Sequence, residues 1–286
     1  MSSPVWFITG ASNGLGLLLS LRALQAKHRV IGAVRSKTKS AEAVKKIESA
    51  GGRVIELDLT ESRDSIIKKV KEVGQIDYLI NNAGYSIFGA LEQMSEKETV
   101  QQISTNFFGP VFVIQGALEG MRARRSGLIV NLSSIAAKDP LPTCALYSGT
   151  KAGLEAMTES LASEIEPFGI KTLIVNPGAF RTNFLAPTGK LTPSAPLPQD
   201  YADTVVGKTL AAFDAADGNQ KGDPVKGVER MFEIITGAPG TLGGKLTGKV
   251  KRLVLGEDAL RRMKKNNAKF VEDYTLNEEV ALSTDY

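Results

Sequence analysis

The segment VWFITGASNGLG, residues 5–16, decides the fold. Its first five residues are apolar or β-branched and predict a buried strand, and a helix-like stretch at 14–27 follows. Between the two, glycines spaced G-x-x-x-G-x-G let the backbone approach a pyrophosphate at the start of a helix. A plain structural turn is the alternative, but the strand–turn–helix context favours a dinucleotide site. The predicted cofactor contacts of this turn are Gly10, Ser12, Asn13, Gly14, Leu15 and Gly16.

Strand-like and helix-like stretches alternate along the chain. Apolar runs predict strands at 5–9, 30–34, 54–57, 78–80, 128–132, 171–176 and 253–255. Helices are expected at 14–27, 40–50, 62–73, 98–124 and 146–166, the fourth with Gly109-Pro110 as the place for a kink. This alternation is typical of a parallel sheet, and continuous apolar strands indicate helices on both of its faces. The predicted fold class is α/β, with a doubly wound Rossmann-type domain.

The sequence shows no linker and no change of composition before about residue 180, so we predict one domain over residues 1–286 and not two. Residues 183–205 form a predicted substrate lid, because loops of this length are usually functional or disordered. A helix is expected to start at Asp223-Pro224. The prolines of the lid are Pro187, Pro193, Pro196 and Pro198.

A C-terminal extension at about 237–286 begins with a glycine-rich stretch, which must be flexible or tightly turned. It continues in a basic amphipathic helix at 258–274. Such a helix can bind a membrane surface or nucleic acid, but a solvated outer face is the commoner role and the one we favour. No partner among nucleic acids is therefore expected.

Composition excludes several classes of site. With one cysteine, Cys144, and one histidine, His28, the chain can form no internal disulfide and offers almost no ligands for zinc, so no metal is expected. The net charge of +4 does not call for a nucleic-acid partner. No apolar run is long enough for a membrane span, and the first residues do not form a secretion signal, so a cytoplasmic location is expected. His28 lies at the end of the first predicted helix, where a partial positive charge suits the helix dipole, and it is not expected to be catalytic.

The residues after the second predicted strand indicate which dinucleotide binds. Enzymes that use NAD usually place a carboxylate there for the adenine ribose. This chain has Arg35, with Ser36 and Lys37 behind it, and no acid before Glu42. A guanidinium fork suits a 2′-phosphate, so NADP(H) is the expected cofactor, with a solvated basic loop as the alternative.

A tyrosine and a lysine four residues apart form the candidate catalytic pair. Tyr147 and Lys151 lie on one face of a predicted helix, and Ser134 follows a predicted strand thirteen residues upstream of Tyr147. A nearby ammonium is expected to lower the pKa of the tyrosine toward the working pH. The serine hydroxyl could hold a substrate oxygen against Tyr147. Tyrosine and lysine at this spacing occur on many helices, so this pair alone is weak support.

Several short motifs in one order strengthen the interpretation. They are Thr9–Gly16, Asn81-Asn82-Ala83-Gly84, Asn106, Asn131-Leu132-Ser133-Ser134, Tyr147-x-x-x-Lys151 and Pro177-Gly178-Ala179-Phe180-Arg181-Thr182. In their order and spacing, from about residue 5 to residue 182, the chain resembles the short-chain dehydrogenase/reductase family. The resemblance implies a sheet with strand order 3-2-1-4-5-6-7 and a homodimer or homotetramer formed through the helices at 98–124 and 146–166.

The resemblance also implies a role for each matched residue. Tyr147 would be the general acid in reduction, Lys151 would lower its pKa and bind the nicotinamide ribose, Ser134 would orient the carbonyl, and Asn106 would hold a water that links Lys151 to solvent. Further cofactor contacts would be Asp58 and Leu59 after the third strand, Asn82, Ala83 and Gly84 after the fourth, and Pro177, Gly178, Phe180 and Thr182 over the nicotinamide. Ser133 is the neighbouring alternative to Ser134, but the thirteen-residue spacing to Tyr147 favours Ser134. Asn13 departs from NADP-preferring relatives, which often carry Arg or Lys at that position.

The expected function is an NADP(H)-dependent oxidoreductase that transfers hydride between the nicotinamide and a small-molecule carbonyl or secondary alcohol. Residues 85–90 look like those of members that act on bulky apolar carbonyls. Around them, Phe88, Phe180, Phe184, Leu185 and Cys144 either line an apolar pocket or belong to the core. The alternatives are a non-redox isomerase, dehydratase or cyclase on the same scaffold, and a regulatory protein that senses NADP.

Overall fold

Seven parallel strands form one sheet in the computed structural model, which describes residues 3–186 and 191–286. The strands are β1 Val5–Thr9, β2 Arg29–Val34, β3 Arg53–Glu56, β4 Tyr78–Asn81, β5 Gly127–Leu132, β6 Ile170–Pro177 and β7 Arg252–Leu255. Their order in the sheet is β3-β2-β1-β4-β5-β6-β7, as the family resemblance implied. Every pair of neighbouring strands is parallel, so the α/β fold class predicted from the alternation is confirmed.

Helices cover both faces of this sheet, because alternate residues of the buried strands point to opposite sides. The helices are α1 Gly14–Gln25, α2 Ala41–Ser49, α3 Arg63–Val73, α4 Glu96–Ile103, α5 Gly109–Arg124, α6 Ala145–Ile165, α7 Val205–Ala216, α8 Pro224–Thr236, α9 Glu257–Leu276 and α10 Glu278–Leu282. Trp6 and Ile8 of β1 pack in one apolar core with residues of α1, α2 and α8, whereas Val5 and Phe7 pack in a second core with residues of α3, α5 and α6.

The strand order reverses at β1, which pairs with β2 on one side and with β4 on the other. The connections that follow β1 and β4 therefore diverge and leave a crevice at the carboxyl ends of these strands. In open α/β sheets, ligands bind in such a crevice. The fold thus selects one edge of the sheet as the place for a site.

The predicted single helix at 98–124 is wrong in one respect. The structure has α4, then a π-helical turn at Ser104–Phe108, then α5. Pro110 has no N–H, so the carbonyl of Asn106, four residues earlier, receives no α-helical hydrogen bond from it. The widened turn lies directly before the Gly109-Pro110 step at which a kink was expected, and it carries Asn106 into the interior.

The predicted lid is described at 183–186 and 191–205, and Pro187 lies outside the described residues. Leu191 forms an isolated parallel bridge with Ile87, so the described part of the lid lies against the segment that follows β4. The lid then leads into α7, a helix that the sequence did not indicate. Thr204 caps α7 by accepting a hydrogen bond from the N–H of Val206 at 3.1 Å.

The glycine-rich stretch is tightly turned. Gly237 ends α8 with a φ of 68°, a conformation that favours glycine. The N–H of Gly243 donates to Oε2 of Glu233 at 2.9 Å, which ties the stretch back to α8. β7 and α9 follow it. None of the described helices is both long and apolar enough to cross a membrane.

Candidate active site

The predicted site residues lie at the carboxyl edge of the sheet, on the connections that follow its central strands. Gly10 follows β1, Asn82 follows β4, Ser134 follows β5, and Pro177 ends β6. Tyr147 lies in the first turn of α6, and Lys151 follows one turn later. The structure therefore brings motifs that are up to 170 residues apart in sequence to one crevice.

The glycine-rich turn is held against the end of β4 by Asn82. The side-chain amide of Asn82 donates to the carbonyls of Thr9 and Gly10, both at 3.0 Å. Gly10 has a φ of +67°, and a Cβ atom there would lie 2.8 Å from Cα of Ala83. A Cβ atom at Gly16 would lie 2.4 Å from the Asn82 amide nitrogen. Only glycine fits at these two positions, and Asn82 and Ala83 are the reason.

The N-terminus of α1 offers free N–H groups. Its N-cap, Asn13, is exposed and makes no side-chain capping hydrogen bond, and no acidic residue lies in the first turn. By contrast, Asp223 caps α8 by accepting from the N–H groups of Val225 and Lys226. The first turn of α1 thus combines unsatisfied donors with the positive end of a helix dipole, which fits a pyrophosphate. Ser12, Gly14 and Leu15 are half-buried beside it.

Thr182 closes this turn from the other side. A Cβ atom at Gly14 would lie 3.6 Å from Cβ of Thr182, so the loop after β6 faces the start of α1. The N–H of Gly178 donates to the Leu255 carbonyl at 2.8 Å, and Asp258 accepts from the N–H of Ala179 at 2.9 Å. Asp258 was expected only as the start of a helix. In the structure its carboxylate holds the loop that follows Pro177.

Arg35 and Asp58 lie at the far end of the crevice. Arg35 is exposed directly after β2. Oδ1 of Asp58 accepts from the N–H and the hydroxyl of Thr60, at 2.9 and 2.8 Å, and Leu59 is buried in the core. Burial raises the pKa of Tyr85, and the charges of both Arg35 and Asp58 act on the same phenol, so these side chains share one region.

Tyr147 is nearly inaccessible to solvent, with 9% of its surface exposed. Burial raises its pKa to about 12, although a hydrogen bond with the Ser134 side chain opposes this shift. The Ser134 hydroxyl also accepts from the N–H of Ala136 at 3.1 Å. Serine and tyrosine thus meet as the thirteen-residue spacing suggested, at a point where one substrate oxygen could contact both hydroxyls.

Lys151 is buried beneath Tyr147. Its ammonium donates to the Leu132 carbonyl at 2.7 Å and lies 5.8 Å from the centre of the Tyr147 ring. Burial lowers the pKa of Lys151 to about 8, and the charge of Glu155 opposes the change. The sequence led us to expect that the ammonium would lower the pKa of Tyr147. In this structure burial outweighs any such effect, since the pKa of Tyr147 goes up.

Asn106 is fully buried in the π-helical turn. Its amide nitrogen donates to the Tyr85 carbonyl at 2.8 Å and to the Thr150 hydroxyl at 3.2 Å, while its oxygen accepts from the N–H of Tyr85 at 3.1 Å. A Cβ atom at Gly84 would lie 3.2 Å from Nζ of Lys151 and 3.3 Å from Oδ1 of Asn106. Gly84 therefore leaves a small space between these two polar groups.

Apolar side chains pack around Tyr147. Phe88, Cys144 and Tyr147 form a buried cluster, and Phe184 packs against it with its ring centre 5.6 Å from that of Tyr147. The ring of Phe213 on α7 lies 4.8 Å from the ring of Phe88. Burial raises the pKa of Cys144 to about 11, so its thiol is neutral. Leu185, Leu210 and Ala136 complete the cluster.

Phe180 and His28, which the sequence analysis also considered, lie outside the cluster around Tyr147. The Phe180 ring packs against the core and close to Gly227 of α8, so its side chain belongs to the core and not to the apolar cluster. Nδ1 of His28 accepts from the indole N–H of Trp6 at 2.9 Å. Burial, followed by the charge of Arg22, lowers the pKa of His28. The expected partial positive charge on His28 is therefore wrong, because an Nδ1 atom that accepts a hydrogen bond belongs to a neutral ring.

The family model of the short chain dehydrogenases matches residues 4–191 of the chain. That span holds the glycine-rich turn, Asn106, Ser134, Tyr147 and Lys151. The chain belongs to the short-chain dehydrogenase/reductase family. It is thus an oxidoreductase of this family, and the resemblance drawn from its motifs is confirmed.

Relatives of this short-chain dehydrogenase agree with that assignment. The oxidoreductase claN of Passalora fulva is 43% identical over 64% of the chain and 84% of its own length. The 3-ketodihydrosphingosine reductase of Bacteroides thetaiotaomicron is 37% identical over 77% of the chain and 79% of its own length. A short-chain dehydrogenase structure from Streptomyces avermitilis, 33% identical, covers both chains fully with a TM-score of 0.84. A metagenomic short-chain oxidoreductase in complex with NADP, 27% identical, covers 78% of this chain and 95% of its own, with a TM-score of 0.58.

Proposed function

We propose that this short-chain dehydrogenase is an NADP(H)-dependent carbonyl reductase for bulky apolar small molecules. The observation that carries the proposal is the meeting of the Ser134 and Tyr147 hydroxyls above the buried Lys151 ammonium, beside a glycine-rich turn whose helix N-terminus is free. A proton donor, an oxyanion-binding hydroxyl and a dinucleotide cradle in one crevice are what carbonyl reduction requires. A protein that only senses the NADP redox state would have no need of this full set of groups.

The residues around the Tyr147 hydroxyl have different roles in the proposed reaction. Ser134 donates a hydrogen bond to the substrate oxygen, and Tyr147 transfers its phenolic proton to that oxygen as negative charge develops on it. The ammonium of Lys151 stabilises the phenolate that remains. Asn106 and Gly84 border the space through which a water would return a proton to Lys151. The nicotinamide, when bound, supplies the hydride.

The cofactor would bind along the crevice. Its pyrophosphate would bind to the free N–H groups of the glycine-rich turn, with Thr182 closing over it. Its adenosine half would reach Asp58, and Arg35 would pair with a 2′-phosphate. The metagenomic relative was solved in complex with NADP, which supports this choice. The presence of Arg35 at the position where NAD enzymes usually carry an acid supports it as well.

The apolar cluster supports the substrate class. A carbonyl that reaches Tyr147 would enter the apolar cluster that Tyr147 forms with Phe88 and Phe184, so an apolar substrate is favoured over a polar one. The relative from Bacteroides thetaiotaomicron is named a 3-ketodihydrosphingosine reductase, and this name supports a ketone as the substrate. The described segments of the lid and α7 would determine the shape of this pocket. Cytoplasmic location and homo-oligomerisation stay predictions.

The test is a fluorescence titration of the purified protein with NADPH and with NADH, followed by a carbonyl panel. The panel pairs short polar ketones with long-chain and ring ketones of matched reactivity. We expect tighter binding of NADPH, and its oxidation mainly by the apolar members. Tight binding of NADPH without oxidation by any carbonyl would favour the non-redox or sensing alternatives, and absence of binding would overturn the proposal.

A further inference from the structure

Glu155 is a buried carboxylate one helical turn beyond Lys151 on α6, with 1% of its surface exposed. Its Oε1 accepts from the Ser133 hydroxyl at 2.6 Å and from the side-chain amide of Asn176. Its Oε2 pairs with the guanidinium of Arg252 at 2.5 Å and with the ammonium of Lys138 at 3.1 Å. A buried ion with this many partners costs desolvation free energy, so its place beside the site calls for a reason.

These partners connect Glu155 to the catalytic groups. The amide of Asn176 also donates to the Ser134 carbonyl at 2.9 Å. Glu155 therefore fixes the backbone of Ser134 through Asn176. Ser133 is the residue next to Ser134, and its hydroxyl is held by Glu155. The negative charge of Glu155 raises the pKa of Lys151 against the effect of burial. One carboxylate therefore acts on both Ser134 and Lys151.

Glu155 keeps its charge despite its burial. Desolvation alone would raise its pKa, but hydrogen bonds from Ser133 and Asn176 and the charges of Arg252 and Lys138 bring the pKa below its usual value. Arg252 reaches Glu155 from β7 and is itself shared with the exposed Glu159. The charged groups that face Glu155 are thus Lys151 on α6, Arg252 on β7 and Lys138 after the 3₁₀ turn at Ile135–Ala137.

We propose that Glu155 is a positioning residue of this site, which fixes the Ser133–Ser134 backbone through Asn176 and places a buried negative charge one helical turn from Lys151. Asn176 and Arg252 complete the arrangement. The consequence for turnover rests on the proposed function, whereas the effect on Lys151 does not.

The test is the titration of Lys151 followed by NMR of lysine labelled with ¹⁵N at Nζ, with the signal assigned from its loss in Lys151→Arg. Glu155→Gln keeps an acceptor oxygen for Ser133 and Asn176 but removes the charge. We expect the titration midpoint of Lys151 to fall by about one pH unit in this variant. An unchanged midpoint would overturn the proposal. The measurement needs neither substrate nor turnover, so it stays decisive if the proposed function fails.

Two further variants separate charge from structural damage. Glu159→Gln removes a carboxylate that pairs with the same Arg252 but is exposed, so the Lys151 midpoint should stay within about 0.2 pH units. Lys138→Met removes a cation beside Glu155, so the midpoint should rise. If Glu155→Gln does not fold, a midpoint that fails to rise in Lys138→Met overturns the proposal on its own. In an active enzyme, the alkaline limb of kcat/KM should move in the same directions.

Discussion

Arg35 is the residue on which the choice of cofactor depends in the proposed site. It follows β2, is exposed to solvent, and stands where NAD enzymes usually carry an acid. The preference for NADP(H) could be predicted from the sequence, because no carboxylate follows Arg35 before Glu42. That Tyr85 shares this region with Arg35 and Asp58 could not, because the three residues meet only through tertiary folding.

Replacing Arg35 should therefore affect one cofactor more than the other. We expect Arg35→Ala to weaken NADPH binding about 10–100-fold and NADH binding by less than about 3-fold, since only the 2′-phosphate loses its partner. Arg29→Ala, at the other end of β2, is the matched control and should change neither. Fluorescence titration measures both constants. Equal losses for NADPH and NADH would remove Arg35 from the phosphate site.

The titration of Lys151 sets a pH limit on activity. Burial lowers its pKa to about 8, so in the free enzyme the ammonium is lost as the pH rises through that value. Since the neutral amine cannot stabilise the Tyr147 phenolate, kcat/KM for reduction should fall above about pH 8. Because the pKa of Tyr147 is about 12, ionisation of Tyr147 adds no second fall to the pH profile below that pH. A pH profile that stays flat to pH 10 would contradict this assignment.

At the scale of elements, the alternation of strands and helices was enough to predict the sheet, whereas local packing was not. The π-helical turn depends on the missing N–H of Pro110, and its effect on Asn106 becomes clear only when the packed interior is known. Helix α7 has no buried residue, so its sequence contains no fully buried apolar stripe that would have marked it as a helix. The neutral His28 likewise results from contacts with Trp6, 22 residues away in sequence.

The glycine-rich turn gives a sharp test at this scale. Gly16→Ala would place Cβ 2.4 Å from the Asn82 amide, so it should displace the turn and weaken NADPH binding by at least about 100-fold. Gly149→Ala is the control on α6, where the added atom meets nothing within 4 Å. It should leave binding unchanged and raise the free energy of unfolding by about 0.5–1 kcal/mol. Normal NADPH binding by Gly16→Ala would contradict the assigned cradle.

At the scale of the whole molecule, β7 connects the C-terminal extension to the sheet. Arg252–Leu255 pairs with β6, and Leu253 is buried in the core that also contains Trp6. This arrangement favours one domain over residues 1–286. The sequence supported the same prediction only through the absence of a linker before about residue 180.

Unfolding tests that prediction. Leu253→Ala should lower the free energy of unfolding by about 2–5 kcal/mol, through lost burial and the cavity left behind. Trp6, the one tryptophan of the chain, lies on the central strand β1, so its fluorescence reports the body of the sheet. Its transition should shift together with that of the circular dichroism. A Trp6 transition that stays in place while part of the dichroism melts earlier would indicate two domains.

The most direct test of the proposed chemistry is turnover by Tyr147→Phe. This variant removes the phenolic proton and leaves the ring in its apolar cluster. With NADPH and the best apolar ketone of the panel, we expect kcat to fall by at least about 10²–10⁴-fold while NADPH affinity stays nearly unchanged. Tyr78→Phe, at a tyrosine on the opposite edge of the sheet, should stay active. A Tyr147→Phe enzyme that reduces the ketone at the wild-type rate would contradict the assignment of Tyr147 as the proton donor.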